Sequence, residues 1–163
     1  MKDSFCSTCG TAYADTATWP RVCGACGDIK YRNPIPVAVA VIPVTEGGVV
    51  LIRRSIAPCI GELALPGGYI TYGESWQEGL IREVYEEIPG LQLAKESVSL
   101  FRTISTPNGG QILIFGITES VTRAQVEASP ISDEVSEIVI VTEPQKLAFS
   151  THTDVLRWYF EKE

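Results

Sequence analysis

Apolar residues crowd into short blocks along this chain, and the spacing inside each block predicts a different element. Val37 to Val44 is apolar at almost every position, and Val49 to Arg53 begins the same way after Glu46-Gly47-Gly48, a pattern that predicts two buried strands joined as a hairpin. The chain then loops through Pro58 to Leu65. From about Trp76 to Glu87 the period changes to that of a helix: Leu80, Val84 and Ile88 share one stripe, with Ile81 beside it. Ser75 and Glu78 make a capping box before that segment, and Pro89-Gly90 stops it. Strands are expected over Ser97 to Ser105 and Gln111 to Ile117, around Asn108-Gly109-Gly110, and again over Glu137 to Val141. A last helix starts after Ser150 and runs through Trp158, with Val155, Leu156, Tyr159 and Phe160 as its buried side. A mixed sheet between helices, an α/β fold, is the architecture this order predicts.

Three carboxylates, Glu83, Glu86 and Glu87, fall three and four positions apart on the central helix, at the edge of its apolar stripe. Residues at such offsets project from neighbouring points, so like charges there cost roughly 0.2 to 0.5 kcal/mol per pair unless a cation neutralises them. A hard divalent ion bound to a phosphate would do so. The plainer reading is a solvated face on which Arg82 pairs with Glu86. Ahead of the helix, Leu65-Pro66-Gly67-Gly68 and Gly73 form a glycine-rich turn whose backbone can approach a ligand or ion closely.

With Gly68, Glu74 and Arg82 at fixed offsets from these acids, the stretch resembles the signature of the Nudix hydrolases, G-x5-E-x7-R-E-U-x-E-E-x-G-U, where U is a bulky aliphatic residue. Gly68, Glu74, Arg82, Glu83, Val84, Glu86 and Glu87 match it. Pro89 stands where the final glycine belongs, with Gly90-Leu91 one step late, and Leu63 replaces a tryptophan common before Leu-Pro-Gly-Gly. The resemblance implies an α/β/α sandwich and hydrolysis of a nucleoside diphosphate linked to another moiety. It further implies that Mg²⁺ or Mn²⁺ is held by Glu83, Glu86 and Glu87 with the Gly68 carbonyl, that Arg82 orients the acids, and that Glu74 is either structural or sits just outside the ligands of the ion. In relatives that cleave dinucleotides, a glutamate at the place of Glu134 completes the metal shell or acts as base, whereas the bland reading of Glu134 is an exposed loop acid beside a strand. Arg53 and Arg54, just after a strand, are candidates to reach a phosphate or ribose, or else surface charges. His152 lies in the first turn of the last helix, and Trp76 and Trp158 fit core packing better than stacking on a base.

The front of the chain is of another kind. Cys6-Ser7-Thr8-Cys9 and Cys23-Gly24-Ala25-Cys26 are two C-x-x-C pairs, and each is followed by a glycine suited to a knuckle turn. Four thiolates so spaced suit a closed tetrahedral Zn²⁺ site, with disulfides or a redox pair as the alternative. About thirty residues bury too little apolar surface to fold alone, so a metal would supply much of the folding free energy. The proline-marked connector Tyr31-Arg32-Asn33-Pro34-Ile35-Pro36 sets the expected boundary: a small N-terminal zinc ribbon over 1–33 and a catalytic domain over 34–163.

With 163 residues, of which 45% are hydrophobic, the chain fits one catalytic domain plus this appendage. A net charge of −7 argues against nucleic acid as a partner. The ribbon's Lys2, Arg21, Lys30 and Arg32 are nearly balanced by Asp3, Asp15 and Asp28. The apolar runs are too short to span a membrane. No secretory leader precedes the cysteines and Cys59 is left over, which favours a reducing cytoplasm. The expected partner is a small nucleotide substrate, and since many Nudix enzymes dimerise, the resemblance also allows a homodimer, although no interface is visible in the sequence.

A zinc ribbon ahead of a Nudix domain is similar to the NADH pyrophosphatases, and Tyr31-Arg32-Asn33-Pro34 adds to the likeness. Where those carry an S-Q-P-W-P-F-P-like motif, this chain reads Ile104 to Gly110 as I-S-T-P-N-G-G. A second zinc-ribbon group with an R-x-I-A-P-x-x-G run is closer, matched by Arg54 to Gly61, and implies ADP-ribose or FAD. Two other readings stand beside a pyrophosphohydrolase: a catalytically silent Nudix-fold binding or regulatory module that docks through its ribbon, and a prenyl diphosphate isomerase, for which no further acid-base constellation is found.

Overall fold

The computed structural model describes residues 3–14 and 18–161. The chain divides into two compact units, one up to Pro34 and one from Ile35 onward. In the first, β1 (Arg21–Val22) pairs antiparallel with β2 (Ile29–Lys30), and Cys6 and Cys23 are buried with Tyr13. Its two cysteine turns repeat one hydrogen-bond pattern. Cys6 and Cys23 donate N–H to Thr11 and Asp28, and Gly10 and Gly27 donate back to Cys6 and Cys23. Both glycines sit near φ +75°, the left-handed region that favours glycine.

In the second unit the elements follow as β3 (Ile35–Val41), β4 (Val49–Arg54), β5 (Leu63–Ala64), β6 (Gly67–Tyr69) and α1 (Trp76–Glu87). A 3₁₀ turn over Lys95–Ser97 precedes β7 (Ser99–Ser105), β8 (Gln111–Ile117), α2 (Arg123–Glu127), β9 (Val135–Val141) and α3 (Ser150–Phe160). A four-stranded sheet runs β6-β3-β8-β7, with β3 and β8 parallel and the other pairs antiparallel, and a three-stranded antiparallel sheet runs β5-β4-β9.

The apolar run of β3 is divided by the pleat. Ala38, Ala40 and Ile42 pack with Leu80, Val84 and Ile88 of α1, while Val37, Val39 and Val41 pack with Val155, Leu156 and Tyr159 of α3. β4 does the same, sending Val50 and Ile52 to the first group and Val49 and Leu51 to the second. A strand buried on both faces reads as continuously hydrophobic for this reason. Small residues on the α1 side bring that helix close. A Cβ on Gly116 would stand within 3 Å of Leu80, Trp76 and Val98.

The expected hairpin around Glu46-Gly47-Gly48 is only partly present. The turn closes, with Val44 N–H on the Gly48 carbonyl at 2.9 Å and Val50 N–H on Ile42 at 3.0 Å, but β3 and β4 then part into separate sheets. Both edges of β3 are already taken, by β6 and β8, so the strand ends at Val41 rather than Val44. The segment from Gly67 expected as a turn continues as the edge strand β6, where a Cβ on Gly67 would collide with backbone atoms of Ala38 and Val39. The strand expected from Ser97 starts at Ser99, β9 starts two residues earlier than expected, and α3 extends to Phe160.

Candidate active site

α1 is held at its start by the reciprocal bonds of Ser75 and Glu78, and Lys95 on Glu78 at 2.7 Å helps hold that carboxyl down to about 2. At its other end Ile88 N–H still reaches Val84, so Pro89 takes effect only after the last acid. One turn earlier, Arg82 organises the acidic face. It pairs with Glu74 at 2.7 Å, Glu83 at 2.8 Å and Glu86 at 3.3 Å, and donates to the Tyr69 carbonyl at 2.8 Å. The Arg82 guanidinium, with the Thr71 N–H, holds Glu74 below the usual carboxylate range, and Arg82 itself is raised by its acidic partners.

The three signature glutamates do not converge. Glu87 is buried and accepts the Gly67 N–H at 2.8 Å, Glu83 lies beneath Gly68, whose missing Cβ leaves room for the carboxylate, and Glu86 is exposed beside Arg82. Helical offset brings the Cα positions together, but Arg82 decides where two of the carboxylates point.

Glu83, Glu87, Gly68, Glu134 and Arg54 all line one cavity of about 390 Å³. Burial pushes Glu87 up to about 8 against the opposing Gly67 N–H, with the Glu83 and Glu134 charges adding to the rise. Burial also raises Glu83, opposed by Arg82. Two adjacent carboxyls disfavoured in their charged forms, oxygen donors facing a cavity, fit a hard divalent cation. Glu86 lies outside that lining, at the 3.3 Å contact with Arg82.

The two arginines that end β4 separate, as successive strand positions do. Arg54 lines the cavity, with its guanidinium 5.5 Å from the Phe149 ring centroid and its Nε on the Pro58 carbonyl at 2.8 Å. Arg53 instead pairs with Glu137 at 2.7 Å and donates to Gly61, away from the cavity lining. Trp76 and Trp158 pack against the two core clusters. The rest of the cavity was not legible from motifs: Val37, Val39, Leu113 and Phe149 supply apolar wall, and Thr106, Gln111 and His152 supply polar groups.

In the smaller unit the Sγ atoms of Cys6, Cys9, Cys23 and Cys26 lie within 4.8 Å of one another, and all four are free thiols. This is the one convergent group of metal-ligating side chains among the described residues, and four sulfurs so placed could hold a metal ion. Two of these separations, 3.5 Å for Cys9 and Cys23 and 3.7 Å for Cys6 and Cys26, join opposite turns and are not disulfide bonds.

A family model, NUDIX domain, matches residues 34–159. The chain belongs to the Nudix family. It is 28% identical over 134 residues to the ADP-ribose pyrophosphatase of Methanocaldococcus jannaschii, covering 79% of each chain. Among solved structures, a NUDIX hydrolase from Nitrosomonas europaea aligns at TM-score 0.76 with 25% identity, over 98% of this chain and 92% of that one. A MutT protein from Methanosarcina mazei aligns at TM-score 0.62 with 24% identity, over 80% and 95%, and shows the fold alone. The α/β/α Nudix sandwich with mixed sheet expected from sequence is therefore the fold of this chain, and it is a Nudix hydrolase. No helix among the described residues is long and apolar enough to cross a membrane.

Proposed function

We propose that this Nudix hydrolase is a divalent-metal-dependent pyrophosphohydrolase that cleaves an ADP-containing dinucleotide or sugar, with ADP-ribose as leading substrate and FAD and NADH in the same class. The observation that carries this reading is the carboxylate pair of half-buried Glu83 and buried Glu87, lining a cavity that also holds Arg54 and Glu134. Similarity to an ADP-ribose pyrophosphatase supports the substrate class.

Glu83, Glu86 and Glu87, with the Gly68 carbonyl, would hold Mg²⁺ or Mn²⁺. Glu86 is exposed enough to exchange Arg82 for a cation. An ion held there would supply charge neutralisation at the phosphate oxygens and lower the pKa of a nearby water. The chain's own residues do the rest. Arg82 keeps Glu83 in register with Gly68, Arg54 offers a guanidinium to the diphosphate, and Glu134 accepts the proton of the water that attacks phosphorus. The P–O–P bond breaks and a mononucleotide leaves.

Residues 1–33 are assigned to a structural zinc ribbon with Cys6, Cys9, Cys23 and Cys26 as ligands, and 34–163 to the catalytic domain. Five free cysteines fit a reducing, cytoplasmic setting. The test is Mg²⁺-dependent release of AMP from ADP-ribose, FAD and NADH, with Glu87→Gln as control. Failure to release a mononucleotide from any of them would favour a silent binding module instead.

A further inference from the structure

His152 is the only histidine in the sequence, and it is buried at 7% exposure although it stands in the first turn of α3. It lines the cavity beside the acids. Its ring is fixed from several sides: Phe115 meets it edge-on at 5.5 Å between centroids, Phe149 lies tilted at 5.0 Å, and the Leu65 N–H donates to Nδ1 at 3.3 Å. Burial pushes its pKa down to about 3, with the Arg54 charge acting in the same direction. A neutral imidazole that accepts at Nδ1 carries its proton on Nε2.

That Nε2–H has no acceptor among the described residues. The atom is not sealed inside the protein, and since His152 lines the cavity it opens there. A polar donor set in a largely apolar cavity wall is the kind of group that fixes a ligand's orientation. Val39, Leu113 and Phe149 line the same cavity and supply apolar wall against which a planar ring can pack.

We propose that His152 is a substrate-recognition residue, whose Nε2–H donates to a carbonyl or ring-nitrogen acceptor on a heterocycle of the ligand. The proposal rests on the pyrophosphohydrolase reading and specifies how that site selects its substrate. His152 is not the general base, because Nδ1 is occupied and Nε2 already carries a proton.

A single histidine gives a single imidazole signal in a long-range ¹H–¹⁵N spectrum of the full chain, prepared with zinc and without added Mg²⁺. The expected pattern is the neutral Nε2–H tautomer, unchanged from pH 5 to 8. AMP should shift the Nε2–H proton and slow its exchange with water, whereas ribose 5-phosphate, which has no heterocycle, should leave it in place. An Nδ1–H tautomer, or AMP moving the Gly67 and Gly68 amides while the imidazole stays still, would overturn the proposal. If neither AMP nor ADP-ribose moves any resonance, the substrate class itself falls, and the proposal with it. In His152→Asn the amide oxygen replaces Nδ1 for Leu65 but the Nε2 donor is gone. Melting should stay within a few degrees of the parent while KM for ADP-ribose rises about tenfold and kcat changes less than about threefold. An unchanged KM would contradict the assignment.

Discussion

Glu87 is a carboxyl folded into a place where its charge is poorly solvated. The unfolded chain loses this proton near pH 4.3, but burial keeps it on the folded protein until about pH 8. Between those values the unfolded state binds fewer protons, so this group's contribution to stability is full below the window and is lost as pH rises through it. In chelator, Glu87→Gln should therefore be more stable than the parent at pH 8, by on the order of a few kcal/mol, and the difference should vanish at pH 4. Added Mg²⁺ should raise the melting temperature of the parent at pH 8 and leave Glu87→Gln unmoved. Thermal melts across pH read both effects. The residues of the acidic turn were legible in the sequence because chemistry fixes their spacing. The Gly67 N–H on Glu87, the outward turn of Glu86 and the entry of His152 into the cavity were not, because each depends on contacts between distant segments.

The element that matters most is the pairing of α1 with β6. Gly68 is needed not for an unusual backbone angle but because a Cβ there would occupy the place of the Glu83 carboxylate. Gly68→Ala should displace Glu83 and cut kcat at least roughly a hundredfold, the scale of losing one well-placed catalytic group, with little change in melting because the displaced atoms end a flexible side chain. Ser75→Ala should cost about 1 kcal/mol of stability through the lost cap, with KM unchanged. A melt and a steady-state assay on each variant separate the two roles. The bounds of α1 were readable because stripe, capping box and Pro89-Gly90 agree. β5 and β6 were not, because two or three residues give no periodicity, and β6 is a strand only through its pairing with β3. The short helix α2 did leave a signal, the capping box of Thr122 and Gln125.

At the scale of the whole molecule, the two compact units present two different sets of ligating groups, four thiols in one and carboxylates lining a cavity in the other. The four cysteine sulfurs converge without help from an apolar core of useful size, so the unit up to Pro34 should depend on its metal. Cys23→Ser should abolish tightly held zinc, about one ion per chain in the parent, and loosen that unit, while the melt of the second unit stays nearly in place. Metal analysis beside calorimetry reads this. The central claim is tested most directly by incubating the protein with ADP-ribose and Mg²⁺ and following products by ³¹P NMR. The diphosphate signals should give way to AMP and ribose 5-phosphate, with no reaction in chelator or in Glu87→Gln. Intact diphosphate in the presence of Mg²⁺, for ADP-ribose and equally for FAD and NADH, would contradict the account.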